Sequence, residues 1–160
     1  MLEAILPGVQ HLQNIHPLIV HFPIAFLVGA ALIYVLAWIF KSDKLAFAAF
    51  MLLLLGTLAA GSAAGTGLYA EGGVMVSRSV RASLLDPHED LMLTTLGLSV
   101  VLSVWALIRR PFPKGGRFFF ILLFLVLLGV MSIGADYGAR MVYDYNAGGN
   151  ACSQPIDFTK

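Results

Sequence analysis

The sequence predicts an all-α integral membrane protein: a single-domain four-helix bundle with both termini on the outer side of the membrane. Three observations carry this. Hydrophobic residues make up 59% of the 160-residue chain and charged residues only 12%, about half the charged share of a soluble domain. Mean hydropathy is +0.85, too apolar for a solvated surface or for disorder. Four apolar stretches each approach the ~20 residues that cross hydrocarbon as a helix, and none shows the alternation of a β-barrel strand. The net charge of +1 offers no field for nucleic acid. One cysteine excludes an internal disulfide, a cysteine-based zinc site and a Cys-x-x-Cys-His haem attachment.

The first helix is expected over 17–40, opened by His16 and Pro17. No Lys or Arg precedes it and it is too long for a signal-peptide core, so it reads as a retained helix. The second, over 45–69, carries the small-residue run Gly61-Ser62-Ala63-Ala64-Gly65. The third, over 88–108, starts at His88 behind Pro87, leaving a loop at 71–87. The fourth covers 118–139. Beyond it, the polar tail 141–160 has Tyr143 and Tyr145 at interfacial positions and glycines suited to a loop. Cys152 in that tail has no assigned role.

Charge sets the expected orientation. Lys41 and Lys44 follow the first helix; Arg109, Arg110, Lys114 and Arg117 follow the third. Eight acids (Glu3, Glu71, Asp86, Glu89, Asp90, Asp136, Asp144, Asp157) fall on the opposite side. The positive-inside rule then makes the two short loops cytoplasmic, and loop 71–87 and both termini periplasmic, in a bacterial inner membrane.

All four histidines, His11, His16, His21 and His88, lie towards the expected outer side. Ionisable groups at membrane depth are costly and usually face the interior of a bundle. His21 sits inside the apolar run Val20-His21-Phe22-Pro23-Ile24, while His11 precedes the membrane. At about 100° per residue, His16 and His21 differ by about 140° around a regular helix. Pro23 can distort the turn between them. Small or polar stripes mark one face of each helix: His21, Ala25, Val28 and Gly29; Thr57, Gly61 and Gly65; His88, Met92, Thr95 and Ser99; Gly129, Ser132, Asp136 and Arg140. These faces are expected inside.

Two imidazoles at one depth on diagonal helices suit the axial positions of haem b, with the macrocycle between helices. The expected iron ligands are His21 and His88, with His16 as a supporting or alternative ligand. Gly61 and Gly65 would admit the flat ring, although the same spacing serves plain helix packing. Arg140 would neutralise a propionate or else pair with Asp136, and Arg78 and Arg81 read as loop charges. A zinc or copper site built from His16, His21 and His88 with Glu89 or Asp90 is an alternative. No nucleophile triad, phosphate loop or catalytic carboxylate pair is visible.

The run Asn14-Ile15-His16-Pro17-Leu18-Ile19-Val20-His21-Phe22-Pro23-Ile24-Ala25 resembles a bacterial family of small predicted membrane proteins of unknown function, whose opening motif is H-P-x-x-V-H-F-P-I. The glycine-rich second helix, His88 at the third, and a glycine-and-tyrosine segment after the last also resemble that family. The resemblance implies four-helix units associated with cytochrome c-like or other redox domains, and it places the family histidines on His16, His21 and His88. It favours haem b.

The expected function is therefore a b-type cytochrome-like electron-transfer protein, or the haem-bearing membrane subunit of a redox complex, rather than a stand-alone enzyme. One haem is expected. Expected partners are the lipid bilayer, quinol, a periplasmic c-type cytochrome or other redox subunit, and a second copy of the chain. The alternatives are a cofactor-free anchoring or assembly subunit and a periplasm-facing zinc or copper protein.

Overall fold

The structure is a computed structural model that describes residues 15–73, 76–109, 111–113, 115–145 and 147. Among these residues there are four long helices and no strand. Helix α1 spans His16–Ile39, α2 Asp43–Glu71, α3 Arg78–Ile108 and α4 Arg117–Tyr145. Each is long and apolar enough to cross a bilayer. At 1.5 Å rise per residue even α1, with its 24 residues, reaches about 36 Å, beyond the ~30 Å hydrocarbon thickness.

Short connections make neighbours antiparallel. Helix α1 packs on α2 and α3 on α4, and the two hairpins meet along α2–α3 and, more sparsely, along α1–α4. Helices α1 and α3 do not pack on each other, nor do α2 and α4. The section is a square with those two pairs on its diagonals.

The α1–α2 turn is tight because Lys41 takes a left-handed backbone (φ 50°), which lets the Ser42 amide donate back to the Ala37 carbonyl at 3.1 Å. Ser42 then caps α2, its hydroxyl accepting from the Leu45 amide at 3.3 Å. The α3–α4 connection folds onto the bundle. Phe112 is buried there against Tyr34 and Phe120, and the Tyr34 hydroxyl donates to the Pro111 carbonyl at 3.1 Å.

The bundle has two unlike halves. Its short-loop half is filled by Leu27, Tyr34, Leu53, Leu102, Phe120, Phe124 and Leu127, all fully buried. Lipid is as apolar as these side chains, so close packing rather than water exclusion holds the helices together. Gly56 shows how close: a Cβ there would lie 2.8 Å from Leu27 Cδ2 and 3.3 Å from its backbone nitrogen. A hydroxyl pair, Thr57 to Ser103 at 2.8 Å, ties α2 to α3 at mid-height. Towards the other end the buried residues are the smaller Ala60, Ala63, Thr95 and Gly134, with a second apolar cluster of Val80, Leu84, Leu85 and Met141 beyond them.

Two expectations about the elements need correction. Helix α3 begins at Arg78, so the expected loop 71–87 is mostly helical and His88 lies well inside a continuous helix. The reason is a π-helical turn at Arg81–Leu85, in which the Asp86 amide reaches the Arg81 carbonyl. That wider turn carries the chain into Pro87, which has no amide hydrogen to give. Helix α4 also runs on to Tyr145, taking Tyr143 and Asp144 out of the expected tail. The remainder of that tail, with Cys152, and His11 lie outside the described residues.

The tight α1–α2 contact yields a paired prediction. Gly56→Ala should destabilise the protein by about 1–3 kcal/mol through overpacking. Gly61→Ala should cost nothing, because no atom lies within 4 Å of its added Cβ. Thermal unfolding in detergent, followed by circular dichroism, compares the two.

A candidate histidine site between the diagonal helices

The end of the bundle away from the short loops brings His16 of α1 and His88 of α3 together. Their ring centroids are 6.5 Å apart, with planes at 82°. Since α1 and α3 lie on a diagonal, the two imidazoles meet across the bundle axis. Both are half-buried.

Local sequence explains each placement. Pro17 suits the first turn of α1, where its missing amide costs nothing. The helix is interrupted at Val20, between His16–Ile19 and His21–Ile39. Pro23 has no amide to give the Ile19 carbonyl, four residues back, and its ring crowds that carbonyl. His16 belongs to the buried stripe of α1, in step with Pro23, Ala30 and Ala37 at intervals of seven. His88 leads the stripe His88, Met92, Thr95 and Ser99 of α3, and Thr95 and Ser99 are buried.

The other two helices supply the seats. A Cβ on Gly67 of α2 would stand 3.0 Å from His16 Cε1, and one on Gly138 of α4 would stand 2.9 Å from His88 Cε1. Each ring thus lies against bare backbone that any larger residue would obstruct. Gly134, one turn from Gly138, accommodates Met92 in the same way.

Hydrogen bonds then orient the rings. His88 Nδ1 is 2.7 Å from the Gly134 carbonyl. A carbonyl only accepts, so Nδ1 carries the proton and the neutral ring keeps its lone pair on Nε2. His16 Nδ1 is 3.1 Å from the Thr66 hydroxyl. The single proton of that hydroxyl is taken up by the helix carbonyls of Ser62 and Ala63, each 3.0 Å away, so its oxygen accepts from His16. The His16 ring also has a hydrogen bond with the Ala63 backbone. All four helices therefore build the site.

Above it, on the π-helical turn, Arg81 forms an ion pair with Glu71 at the end of α2. Glu71 lies one turn beyond Gly67, so the pair joins α2 to α3 next to the histidine layer. Leu84, Leu85 and Met141 pack beside it.

Several expected residues fall elsewhere. His21 is exposed, as are Ala25 and Val28 of the stripe assigned to it. The inward face of α1 is instead Pro23, Leu27, Ala30, Tyr34 and Ala37. Gly61 and Gly65 are exposed with nothing within 4 Å of an added Cβ, so within this chain they touch neither histidine nor a neighbouring helix. On α4 the expected stripe Gly129, Ser132, Asp136 and Arg140 is wholly exposed. Arg140 lies 3.8 Å from Asp144, one turn onward, rather than in the ion pair with Asp136 that was one of its two expected roles. Arg81 is an ion-paired residue of a helix, not a loop charge. Sequence reading missed Gly67, Gly134, Gly138 and Thr66. Their signal is spacing: Gly67 continues the step of seven from Ala60, and Gly134 and Gly138 form a small-x-x-x-small pair.

Among the described residues, no group of three or more His, Cys, Asp or Glu is placed to hold a metal ion. That removes the geometric basis for the expected zinc or copper set of His16, His21 and His88 with Glu89 or Asp90. What remains is a pair of imidazoles, which could supply two nitrogen ligands to one bound centre.

The hydrogen bond to Gly134 makes the ring state of His88 measurable. In the ¹⁵N spectrum of the ligand-free protein near pH 8, above the usual imidazole range, the signals lost in His88→Gln should show a protonated Nδ1 and an unprotonated Nε2. Gly138→Val should shift them by displacing the ring. A protonated Nε2 in the unaltered protein would contradict the geometry.

No curated protein and no solved structure matches the chain. Four helices long and apolar enough to cross a membrane accord with the one assignment that the comparisons give. The chain belongs to the family described as "Predicted membrane protein (DUF2231)", whose model matches residues 12–151.

Proposed function

We propose that the chain is a haem-b-binding electron-transfer protein of a bacterial inner membrane, or the haem-bearing membrane subunit of a larger redox complex. The observation that supports this best is the His16–His88 pair: two imidazoles from diagonal helices, 6.5 Å apart, with the His88 Nδ1 proton held by a backbone carbonyl. Metal-binding histidines characteristically donate their second nitrogen in this way, which fixes the ring and raises its basicity. In this reading His16 takes the place that sequence alone gave to His21.

A bound haem b supplies one-electron chemistry. The chain's own part is positional. Gly134 and Thr66 set the rotation of the two rings, and Gly67 and Gly138 let them lie close to α2 and α4. Ala60, Ala63 and Thr95 keep the neighbouring interior narrow in side-chain volume. Among the described residues Arg78, Arg140 and the Glu71-paired Arg81 are the cations at this end for acidic groups at the water edge. In this reading a quinol would approach from the bilayer and a periplasmic c-type cytochrome from the aqueous face.

A cofactor-free anchoring subunit is the second reading, and one observation favours it. Gly61 and Gly65 present an open small-residue face on α2, the kind of surface against which another membrane helix packs. This face is compatible with the first reading too, in a complex or a homo-oligomer.

Purified protein from cells supplied with iron should show a Soret band and sharp reduced α and β bands, with about one haem per chain. No Soret band would overturn the haem reading. About half a haem per chain would move the site to a shared position between two copies.

Orientation follows from the charge of the short loops. With those loops cytoplasmic, a cysteine replacing Lys114 should be protected from a membrane-impermeant maleimide in intact spheroplasts, and Cys152 should react. The opposite pattern would place the histidine layer on the cytoplasmic side.

A further inference from the structure

At the short-loop end a small surface recess lies between the α1–α2 turn and the start of α4. It is lined by Ala37, Lys41, Ser42, Asp43, Ala46, Pro111, Phe112 and Arg117. We propose that it holds the phosphodiester of an acidic phospholipid.

Charge is the first argument. Lys41 and Arg117 outnumber Asp43, so the lining is net positive. Arg117 is the second. Its guanidinium lies 5.2 Å from the centre of the Phe112 ring, and its Nε is buried with no hydrogen-bond partner among the described residues. An unmet buried donor is costly, more so on a charged group, and a guanidinium matches the oxygens of a phosphate. Ser42 is the third: its oxygen accepts from the Leu45 amide, which leaves the hydroxyl proton available to an anion. The N-terminal ends of α2 and α4 add positive dipole ends at the same level.

Position selects a lipid over a free anion. The recess lies at a bundle end ringed by exposed Trp38, Ile39, Phe40, Phe118 and Phe119, side chains that belong against acyl chains and the interface. Ala37, Ala46 and Phe112 give part of the wall an apolar character suited to the glycerol end of a lipid. Basic pockets between spanning helices are recurrent sites for acidic headgroups.

Native mass spectrometry of protein released from vesicles of equal parts phosphatidylglycerol and phosphatidylcholine tests this. The unaltered chain should retain phosphatidylglycerol in preference to phosphatidylcholine by about tenfold. Arg117→Gln and, separately, Lys41→Gln should each reduce that preference about fivefold, while Lys44→Gln, outside the recess, should leave it unchanged. The Lys41 variant tests the recess without altering the Arg117–Phe112 contact. An equal loss in Lys44→Gln would mean diffuse surface charge and would overturn the site. Absence of preference in the unaltered chain would do the same, as would displacement of the lipid by equimolar inorganic phosphate.

Discussion

The histidine layer depends on one steric fact: at two places in the bundle an imidazole lies directly on helix backbone. A Cβ at Gly138 would come within 2.9 Å of the His88 ring, and one at Gly67 within 3.0 Å of the His16 ring. Without those glycines on α2 and α4, the side chains of α1 and α3 could not lie where they do between the helices. The same glycine-bearing turns supply the polar contacts, from Thr66 beside Gly67 and from the carbonyl of Gly134 one turn before Gly138. Steric access and ring orientation therefore come from the same two helices, while the imidazoles come from the other two.

Around that layer the backbone obeys a second constraint. In hydrocarbon every amide and carbonyl needs a partner within the protein, so a proline in a spanning helix forces an adjustment. The chain makes two, both at the histidine end. Helix α1 is interrupted at Val20 ahead of Pro23, and α3 widens into a π turn ahead of Pro87. The other end has no such irregularity within its helices and is filled instead by interlocking aromatics, Tyr34 with Phe112, Phe120 and Phe124. One half of the bundle is filled by interlocking aromatics, and the other is shaped around two polar rings.

The fold was legible in the sequence because length and hydropathy alone decide that a segment spans a membrane. Which face of each helix points inward was not. In a soluble helix the exposed side is polar, but here the lipid-facing Leu32, Leu36 and Ile39 of α1 are as apolar as the buried Leu27 and Ala30. Small and polar residues were then the only guide; they misled on α1 and α4, and on α2 they held for Thr57, which meets Ser103 of α3, but not for Gly61 and Gly65. On α4, Ser132 faces outward at mid-span and Asp136 and Arg140 face outward towards its end, where headgroups and water can solvate them, whereas Gly134 and Gly138 face inward. On α3 the guide worked, since Thr95 and Ser99 need partners inside the bundle and find helix carbonyls there. His21 looked costly to expose because its neighbours are apolar, yet it sits near the end of a span, where a long side chain reaches the interface. The seven-residue step from His16 through Pro23, Ala30 and Ala37 was the better signal. The early start of α3 was hidden because Pro87 resembles a helix opening and a π turn has no sequence signature of comparable strength.

In the proposed reading His16 and His88, from diagonal helices that meet through their imidazoles, act as a pair on one bound group. Comparing haem retention in His16→Ala and His21→Ala, in protein purified side by side and checked for helical content, tests it most directly. Loss of the low-spin spectrum in His16→Ala with near-normal retention in His21→Ala is the predicted result. Normal retention in His16→Ala together with loss in His21→Ala would contradict the pairing and return the ligand role to the exposed histidine.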